Sequence, residues 1–306
     1  MNARHWIRGG VLSGLVAVSL CVGVARLTAG QAPASAGETA GGVTDVAFPL
    51  RPDSVRLAAI GDMGTGDRLQ MDVARQMARS RTTFPFEFVL ALGDNIYTGD
   101  DPSDFQQAFA VPYKPLLDAG VTFYAVLGNH DSSRQRSYKP FNMNGADYYA
   151  FRKNNVHFLM LDSDGMDRKQ IAWLESELQN RNEGDWTICC VHRPLYSAAA
   201  THGADSRLRK VLEPLFEKYG VNVVLSGHNH VYERMLPQRG IHYFVEGASG
   251  KLRVANLTRS KILAKGFDRD CSFIMMEIAG DELYFRTVSR RALTVDAGVI
   301  QRTMPQ

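Results

Sequence analysis

Short apolar segments recur along the chain from Val55 onward, and more polar segments lie between them. Several of the apolar segments are nearly continuous rather than alternating, as expected for strands that are buried on both faces of a sheet. The pattern therefore predicts strands at Val55–Ile60, Phe86–Leu92, Val121–Leu127, Val156–Leu161, Trp186–Val191, Val221–Leu225 and Ile241–Val245.

Three of the intervening segments place apolar residues three or four positions apart, which is the spacing of an amphipathic helix. They are Arg68–Arg79, Arg168–Arg181 and Ser206–Tyr219, and Gly220 follows the last as a helix stop signal. Strands that alternate with helices in this way indicate an α/β fold with a largely parallel sheet.

The pattern changes in the last part of the chain. Ser272–Ile278 and Glu282–Val288 flank a turn sequence centred on Gly280, which predicts a β-hairpin. Leu293–Val299 is a further candidate strand.

Five of the predicted strands end at or just before polar residues that can bind a ligand, usually after glycine. Open α/β sheets bind ligands beyond the carboxyl ends of their strands, and glycine lets the backbone turn sharply there. We therefore expect one rim of the domain to carry these side chains together. In chain order they are Asp62, Asp94, Tyr97, Asn129, His130, His192, His228 and His230.

The histidines support a metal site at this rim. Of eight histidines, five follow the ends of strands, namely His130, His192, His202, His228 and His230. Oxygen and nitrogen donors without thiolate suit Fe, Mn or Zn, and the set is larger than a single tetrahedral zinc requires. It suits two metals that share a carboxylate, an arrangement that generates hydroxide and stabilises in-line phosphoryl displacement.

The charge distribution argues against nucleic acid as a partner. The chain has 306 residues with 35 Lys and Arg and 32 Asp and Glu, a formal net charge of +3. Residues 1–36 contain Arg4, Arg8 and Arg26 and no acidic residue, so the remainder is formally neutral. We therefore expect no binding to nucleic acid or to an anionic membrane surface by the body of the protein. Four later cations fit either a substrate anion site or a solvated face: Lys251, Arg253, Arg259 and Lys261.

Residues 1–36 have the pattern of an export signal. Arg4 and Arg8 precede an uncharged apolar segment from Gly9 to Ala25, which is the order of a secretory signal peptide and is short for a membrane span of ~20 residues. We expect the body to be secreted or periplasmic, with an uncleaved N-terminal anchor as the alternative. Residues 37–54 predict a flexible linker, and residues 55–306 the catalytic domain.

The body contains three cysteines, Cys189, Cys190 and Cys271. Neighbouring residues of a strand point to opposite faces, and an odd number excludes a complete disulfide framework. Buried thiols and one disulfide to Cys271 both fit this pattern.

The order of the motifs is similar to that of a known family. It reads D-x-G, G-D-x-x-Y, G-N-H-D, a strand that ends in histidine, and G-H-x-H, over about Val55 to Arg302. This order resembles the purple acid phosphatases, a branch of the calcineurin-like metallophosphoesterases, and most closely their small tartrate-resistant type. The resemblance implies a four-layer α/β/β/α sandwich of two mixed β-sheets flanked by helices. Gly64 stands where the wider superfamily has a metal-binding histidine, and Tyr97 would replace that ligand.

The resemblance also implies a role for each residue of the site. Asp62, Tyr97 and His230 would bind Fe(III), whose bond to the phenolate gives the violet colour of the family. Asp94 would bridge to a divalent metal (Fe, Zn or Mn) held by the remaining ligands, Asn129, His192 and His228. His130 would contact the phosphate and help in proton transfer, and His202 would help to protonate the leaving oxygen, so either histidine could be the proton donor.

The function implied is that of an exported acid phosphatase. A metal-bound hydroxide would attack small-molecule phosphate monoesters in line, and protonated imidazoles would favour an acidic optimum. A phosphodiesterase or nucleotide phosphohydrolase on the same centre is the alternative, and a non-catalytic phosphate-binding protein is a third. We expect no stable membrane contact unless the leader stays uncleaved, and the sequence predicts no oligomeric state.

Overall fold

Thirteen strands form two sheets in residues 46–182 and 184–302, which are the residues that a computed structural model describes. The predicted leader and residues 37–45 of the predicted linker lie outside them. Among the described residues, no helix is long and apolar enough to cross a membrane. In chain order the strands are β1 (Val55–Ile60), β2 (Phe88–Ala91), β3 (Thr122–Ala125), β4 (Tyr149–Lys153), β5 (Val156–Met160), β6 (Trp186–Cys190), β7 (Val223–Ser226), β8 (Tyr232–Met235), β9 (His242–Glu246), β10 (Leu263–Phe267), β11 (Ser272–Ala279), β12 (Glu282–Ser289) and β13 (Thr294–Gln301).

Both sheets mix parallel and antiparallel pairs. The first has the order β13-β12-β11-β1-β2-β3 and the second the order β10-β8-β9-β7-β6-β5-β4. Strands β1 to β3 are parallel to one another, as are β5, β6, β7 and β9. These two parallel blocks carry all the predicted site residues, and the antiparallel strands lie outside them.

The alternation of side chains on each strand builds the layers. Leu57 of β1 packs between the sheets with Phe158 of β5. Ala58, the next residue, faces the opposite way and packs with Val73 and Met77 of the helix that covers the first sheet. Helices on the far side pack on the second sheet through Leu174, Leu212 and Phe216. The expected four-layer α/β/β/α sandwich is confirmed.

Three helices have the positions that the apolar spacing predicts. They are α1 (Arg68–Ser80), α4 (Arg168–Gln179) and α5 (Ser206–Tyr219). An aspartate caps the first turn of each, and Gly220 ends α5 in the left-handed conformation with φ of 66°. The shorter elements were not predicted: α2 (Pro102–Phe105), a π-helical turn over Gln106–Ala110, α3 (Lys114–Asp118), and 3-10 turns at Ser133–Ser137 and Lys139–Phe141.

The strand prediction was incomplete rather than misplaced. The hairpin is confirmed as β11 and β12, with Ile278 opposite Leu283, and the last candidate strand is β13. The pattern did not reveal β4, β8 and β10. Strand β4 is a partly exposed edge strand, and the other two carry charged residues among their apolar ones, so a search for continuous apolar segments passes over them.

The chain is packed before β1 begins. Leu50 N and Arg51 N donate to the Glu277 carboxylate at 3.0 and 2.9 Å, and Ser54 Oγ donates to it at 2.6 Å. Phe48 stacks on Phe84 with ring centroids 4.0 Å apart. Residues 46–54, which the sequence pattern assigned to a flexible linker, therefore lie against the domain.

The three described cysteines are buried thiols without a disulfide. Cys190 packs between the sheets, and Cys189 faces the helices on the other side of β6. Their opposite directions follow from their adjacent positions on one strand.

The core between the sheets predicts a large effect for one aromatic residue. Phe158 is fully buried and contacts the rings of Phe88 and Phe151 at 5.5 and 4.8 Å. Phe158→Ala is expected to lower the free energy of unfolding by about 3–5 kcal/mol, because the cavity adds to the lost transfer energy. Urea denaturation measures this. Val254→Ala is the control, since Val254 is 64% exposed and its truncation should cost under about 0.5 kcal/mol. Equal shifts in the two variants would contradict this packing.

Candidate metal centre

The carboxyl ends of the two parallel blocks meet at one edge of the sandwich. Asp62 follows β1, Asp94 and Tyr97 follow β2, and Asn129 and His130 follow β3 in the first sheet. In the second sheet, His192 follows β6, while His228 and His230 follow β7. All seven residues predicted as metal ligands are brought together here, as the contacts below show.

One group of donors surrounds Asp62. Tyr97 Oη lies 3.1 Å from Asp62 Oδ1, and His230 Nε2 lies 3.3 Å from the same oxygen. Tyr97 Oη also lies 2.8 Å from Asp94 Oδ2. A carboxylate, a phenol and an imidazole therefore face a common point, with Asp94 on one side of it.

A second group surrounds His192. Its Nε2 lies 3.2 Å from Asn129 Oδ1, 3.2 Å from His228 Nδ1 and 3.4 Å from Asp94 Oδ1. Its Nδ1 contacts the Leu92 carbonyl at 2.9 Å. The N–H must lie on Nδ1 to donate to that carbonyl, which leaves the lone pair of Nε2 directed into the group. Asp94 thus faces the first group with Oδ2 and the second with Oδ1.

The two carboxylates are buried without a lysine or arginine ion pair among the described residues. Asp62 is 0% exposed and Asp94 is 1% exposed. Burial, together with the charge of Asp94, raises the pKa of Asp62 well above its ordinary value, although His192 opposes the shift. Burial also raises the pKa of Asp94, but His192 and the hydrogen bond from His130 N outweigh it and lower the net pKa. Two adjacent buried carboxylates are stabilised by a proton on one of them or by a compensating positive charge.

The imidazoles are held in the form that binds metals. Burial, with a contribution from His192, lowers the pKa of His228 to about 3. Burial and the charge of Arg253 lower that of His230 to about 4. Both are therefore neutral at physiological pH, as a metal ligand must be. Ligand atoms of Asp62, Asp94 and His192 lie within 4.8 Å of one another, so the donor set fits a metal centre.

Backbone hydrogen bonds join the loop after β1 to the loop after β2. Asp62 N donates to Gly93 O at 3.0 Å, and Tyr97 N donates to Gly64 O at 2.8 Å. A Cβ at Gly64 would lie 1.8 Å from Asn95 O. A side chain at this position would require the backbone to shift, so in this loop geometry the donor comes from Tyr97.

Four residues of the rim adopt the left-handed conformation although they are not glycine. The φ angles are 52° at Asp62, 51° at Asp94, 66° at His202 and 69° at His228. Each costs of order 1 kcal/mol or more and persists only where surrounding contacts fix it. Asp62 Oδ2, for example, accepts the His228 backbone N–H at 2.6 Å.

Asp131 fixes the loops after β2 and β3 relative to each other. Its carboxylate accepts from Asn95 N at 2.8 Å, Ile96 N at 3.1 Å and Gly128 N at 2.9 Å. Gln135 Nε2 donates to it at 2.8 Å. The aspartate that ends the G-N-H-D motif thus holds backbone rather than facing the donors.

His130 and His202 lie at the exposed edge of the site. The His130 ring lies 5.0 Å from the Tyr97 ring, and its backbone N donates to Asp94 Oδ1 at 3.0 Å. The His202 ring lies 4.6 Å from that of His228 and 6.4 Å from that of His230. Both imidazoles are exposed, so they can reach a substrate that sits on the donor groups.

Cations surround the donors. Lys251 Nζ lies 4.5 Å from the Tyr97 ring centroid, and Arg253 N donates to the His230 carbonyl at 2.9 Å. Of the four cations singled out from the sequence, these two lie at the rim, whereas Arg259 and Lys261 are exposed elsewhere in the loop. Sequence reasoning missed Arg193, whose Nη1 lies 3.2 Å from His228 Nε2. Its position next to His192 was the available signal.

Comparisons with known proteins find a related family and related sequences. A family model described as calcineurin-like phosphoesterase matches residues 55–232. Tartrate-resistant acid phosphatase type 5 of Mus musculus is 30% identical over 238 residues, which cover 64% of this chain and 72% of that protein.

Two solved structures share the fold. A purple acid phosphatase from yellow lupin seeds superposes with a TM-score of 0.70 at 18% identity, covering 83% of this chain and 55% of its own. A Plasmodium protein described as the anchor in the inner membrane complex superposes with a TM-score of 0.71 at 17% identity, covering 83% and 90%. At these identities the likeness shows the fold alone, so activity has to be argued from the residues of the site.

The tight packing at Gly128 predicts how metal binding can be disturbed. A methyl group there would lie 2.3 Å from Asp94 Oδ1 and 2.9 Å from His192 Cε1. We expect excess Zn²⁺ or Mn²⁺ to stabilise the wild type by about 2.7 kcal/mol at a hundredfold excess over Kd, and Gly128→Ala to lose most of this gain. Thermal unfolding with and without metal measures it. Gly298→Ala is the control, because its Cβ would meet the Phe285 ring at 2.8 Å on β13, outside the site. An undiminished metal response in Gly128→Ala would contradict the geometry.

Proposed function

We infer the function of this chain from the family to which it belongs, the calcineurin-like phosphoesterases. Its similarity to tartrate-resistant acid phosphatase confirms the resemblance predicted from the motifs, and the chain is a phosphoric ester hydrolase. More finely, we propose an exported acid phosphatase with two metals that hydrolyses phosphate monoesters. The observation that carries this proposal is that Asp94 presents one oxygen to each of two donor groups.

The donor chemistry supports a different metal in each group. The phenol of Tyr97 beside Asp62 and His230 suits Fe(III), whereas Asn129 with His192 and His228 suits a divalent Fe, Zn or Mn ion. Bound there, the metals would supply Lewis-acid activation of water and of the phosphoryl group.

The protein would contribute binding and proton transfer. Lys251 and Arg253 lie where they can attract the phosphate dianion, although the body as a whole is formally neutral. His130 would hold the phosphate, and His202 would give a proton to the leaving oxygen. Burial and the charge of Arg253 lower the pKa of His202 below its ordinary value of 6.5. Because the proton donor must be the imidazolium, this direction supports an acidic optimum.

A second candidate, a nucleotide phosphohydrolase, is favoured by a cavity next to the site. It has a volume of about 280 Å³ and is lined by Arg193, His202, Arg207 and His228 among others. Two guanidinium groups there could bind a further phosphate of the substrate.

The export part of the proposal is supported by the sequence of residues 1–36 alone. Arg4 and Arg8 before the apolar segment from Gly9 to Ala25 are the features that favour it. A secreted or periplasmic location follows if the leader is cleaved, and a membrane-anchored one if it is retained.

The function is tested with a substrate panel on the metal-loaded protein. We expect p-nitrophenyl phosphate and alkyl phosphates to be hydrolysed with kcat/KM at least about tenfold above bis(p-nitrophenyl) phosphate. We expect kcat on the alkyl phosphates to fall as the pH rises past the lowered pKa of His202. Faster hydrolysis of nucleoside di- and triphosphates than of simple esters would favour the second candidate. A preference for the diester, or a rate that rises into alkaline pH, would contradict the proposed acid phosphatase. Protein that holds both metals yet hydrolyses no ester would indicate a phosphate-binding protein instead.

A further inference from the structure

A buried carboxylate on β8 holds the loop that carries His202. Glu233 is fully buried. Its Oε1 accepts the Ala198 N–H at 2.6 Å, and its Oε2 accepts the Ser197 hydroxyl at 2.6 Å. Both donors lie five or fewer residues before His202, whereas Glu233 lies just beyond the G-H-x-H motif. The carboxylate therefore ties together two loops that meet at the rim of the metal centre.

Ser197 extends this connection to the metal-ligand loop. Its Oγ accepts from Asn229 Nδ2 at 2.6 Å and from Ala199 N at 2.9 Å, while its own proton goes to Glu233. Asn229 lies between His228 and His230, and its Nδ2 also donates to the Gly203 carbonyl at 3.1 Å. These hydrogen bonds therefore fix the His202 loop on both sides of the histidine.

The backbone of His202 needs such support. It has a φ of 66°, and Gly203 follows with 68°, so two consecutive residues are left-handed. A histidine in this conformation is strained and stays there only when its flanks are fixed. Because the ring itself is exposed, packing around the side chain does little to set its direction. The distance of 4.6 Å between the His202 and His228 rings therefore depends on the anchored flanks.

The chemistry of Glu233 indicates more than packing. No ion pair to it exists among the described residues, and burial raises its pKa to about 7. A buried carboxylate that lacks a cation is costly, and an apolar side chain of similar volume would pack there at lower cost. What an apolar side chain could not do is accept the hydrogen bonds from Ser197 and Ala198.

We propose that Glu233 is a positioning residue, which through Ser197 and Asn229 holds His202 in place to protonate the leaving group. This inference rests on the proposed function, since it assumes that His202 is the proton donor. It assigns to Glu233 no contact with the substrate. Its effect on turnover should therefore appear only in the step that His202 serves.

The test uses two esters that differ in their need for that proton. An alkoxide leaving group must be protonated, whereas p-nitrophenolate leaves without help. His202→Ala should lower kcat on an alkyl phosphate by about 100-fold, and Glu233→Gln by about tenfold, because the amide nitrogen, unlike either oxygen of a charged or neutral carboxyl group, cannot accept a hydrogen bond. On p-nitrophenyl phosphate both should change kcat by less than about threefold. The double variant should match His202→Ala alone. Once the imidazole has been removed, loss of the residue that positions it should cause no further loss of kcat.

A matched control is present on the other sheet. Glu277 on β11 is also fully buried and accepts from two backbone N–H groups and a serine hydroxyl, those of Leu50, Arg51 and Ser54. Glu277→Gln should lose stability as Glu233→Gln does, without a dependence of kcat on the leaving group. Ser197→Ala should reproduce the kinetic pattern of Glu233→Gln. Ser197→Thr keeps the hydroxyl and should therefore retain wild-type kcat on both esters.

Three outcomes decide the matter. A loss in Glu233→Gln that is equal for the two esters, or that multiplies with His202→Ala, would overturn the positioning role. If Glu233→Gln does not fold, Ser197→Ala gives the same decision. Wild-type protein that hydrolyses neither ester would instead refute the proposed function, and this result is distinct because it appears before any substitution is made.

Discussion

The structure depends on bringing two carboxylates, Asp62 and Asp94, into contact range inside the protein. Each lies at the end of a parallel strand of the first sheet, almost fully buried, and no lysine or arginine among the described residues pairs with either. Such a pair is unfavourable unless a proton or a strong positive charge relieves the repulsion between the groups. The imidazoles of His228 and His230 are neutral, and the amide and the phenol are uncharged donors, so this set of side chains suits metal ions.

The surrounding fold provides the rigidity that this requires. Parallel strands of both sheets end at the same edge, which places the donors close together before any loop is considered. The loops then adopt conformations that are costly for residues other than glycine, at Asp62, Asp94 and His228. Asp131 fixes the loop that carries Asp94 to the loop after β3 by accepting several backbone hydrogen bonds. The loop that carries Asp94 and Tyr97 is therefore held by hydrogen bonds within the protein.

Structural features that depend on residues close together along the chain could be predicted from the sequence. Continuous apolar segments gave β1 and β5 to β7 nearly at their observed bounds, and four-residue spacing gave α1, α4 and α5. Because a ligand motif follows each strand end directly, the donors from Asp62 to His230 were also accessible. Short edge strands such as β4 were missed, since their polar residues interrupt the pattern.

Contacts between distant parts of the chain could not be predicted in this way. Glu233 and Ser197 are 36 positions apart, and no local pattern joins them. The contact of Arg193 with His228 forms only because β6 and β7 lie side by side. From the sequence, Lys251 and Arg253 fitted a solvated face as well as a substrate anion site, and only the loop after β9 brings them to Tyr97 and His230.

The proposed centre holds two metals, one of them an iron ion bound by Tyr97. The visible absorption spectrum together with metal analysis tests this most directly. The wild-type protein should contain two metals per chain, at least one of them iron, and show a violet charge-transfer band. Tyr97→Phe should lose the band, while Tyr148→Phe, outside the donor groups, should keep it. Colourless wild-type protein without iron, or a band that persists in Tyr97→Phe, would contradict the account.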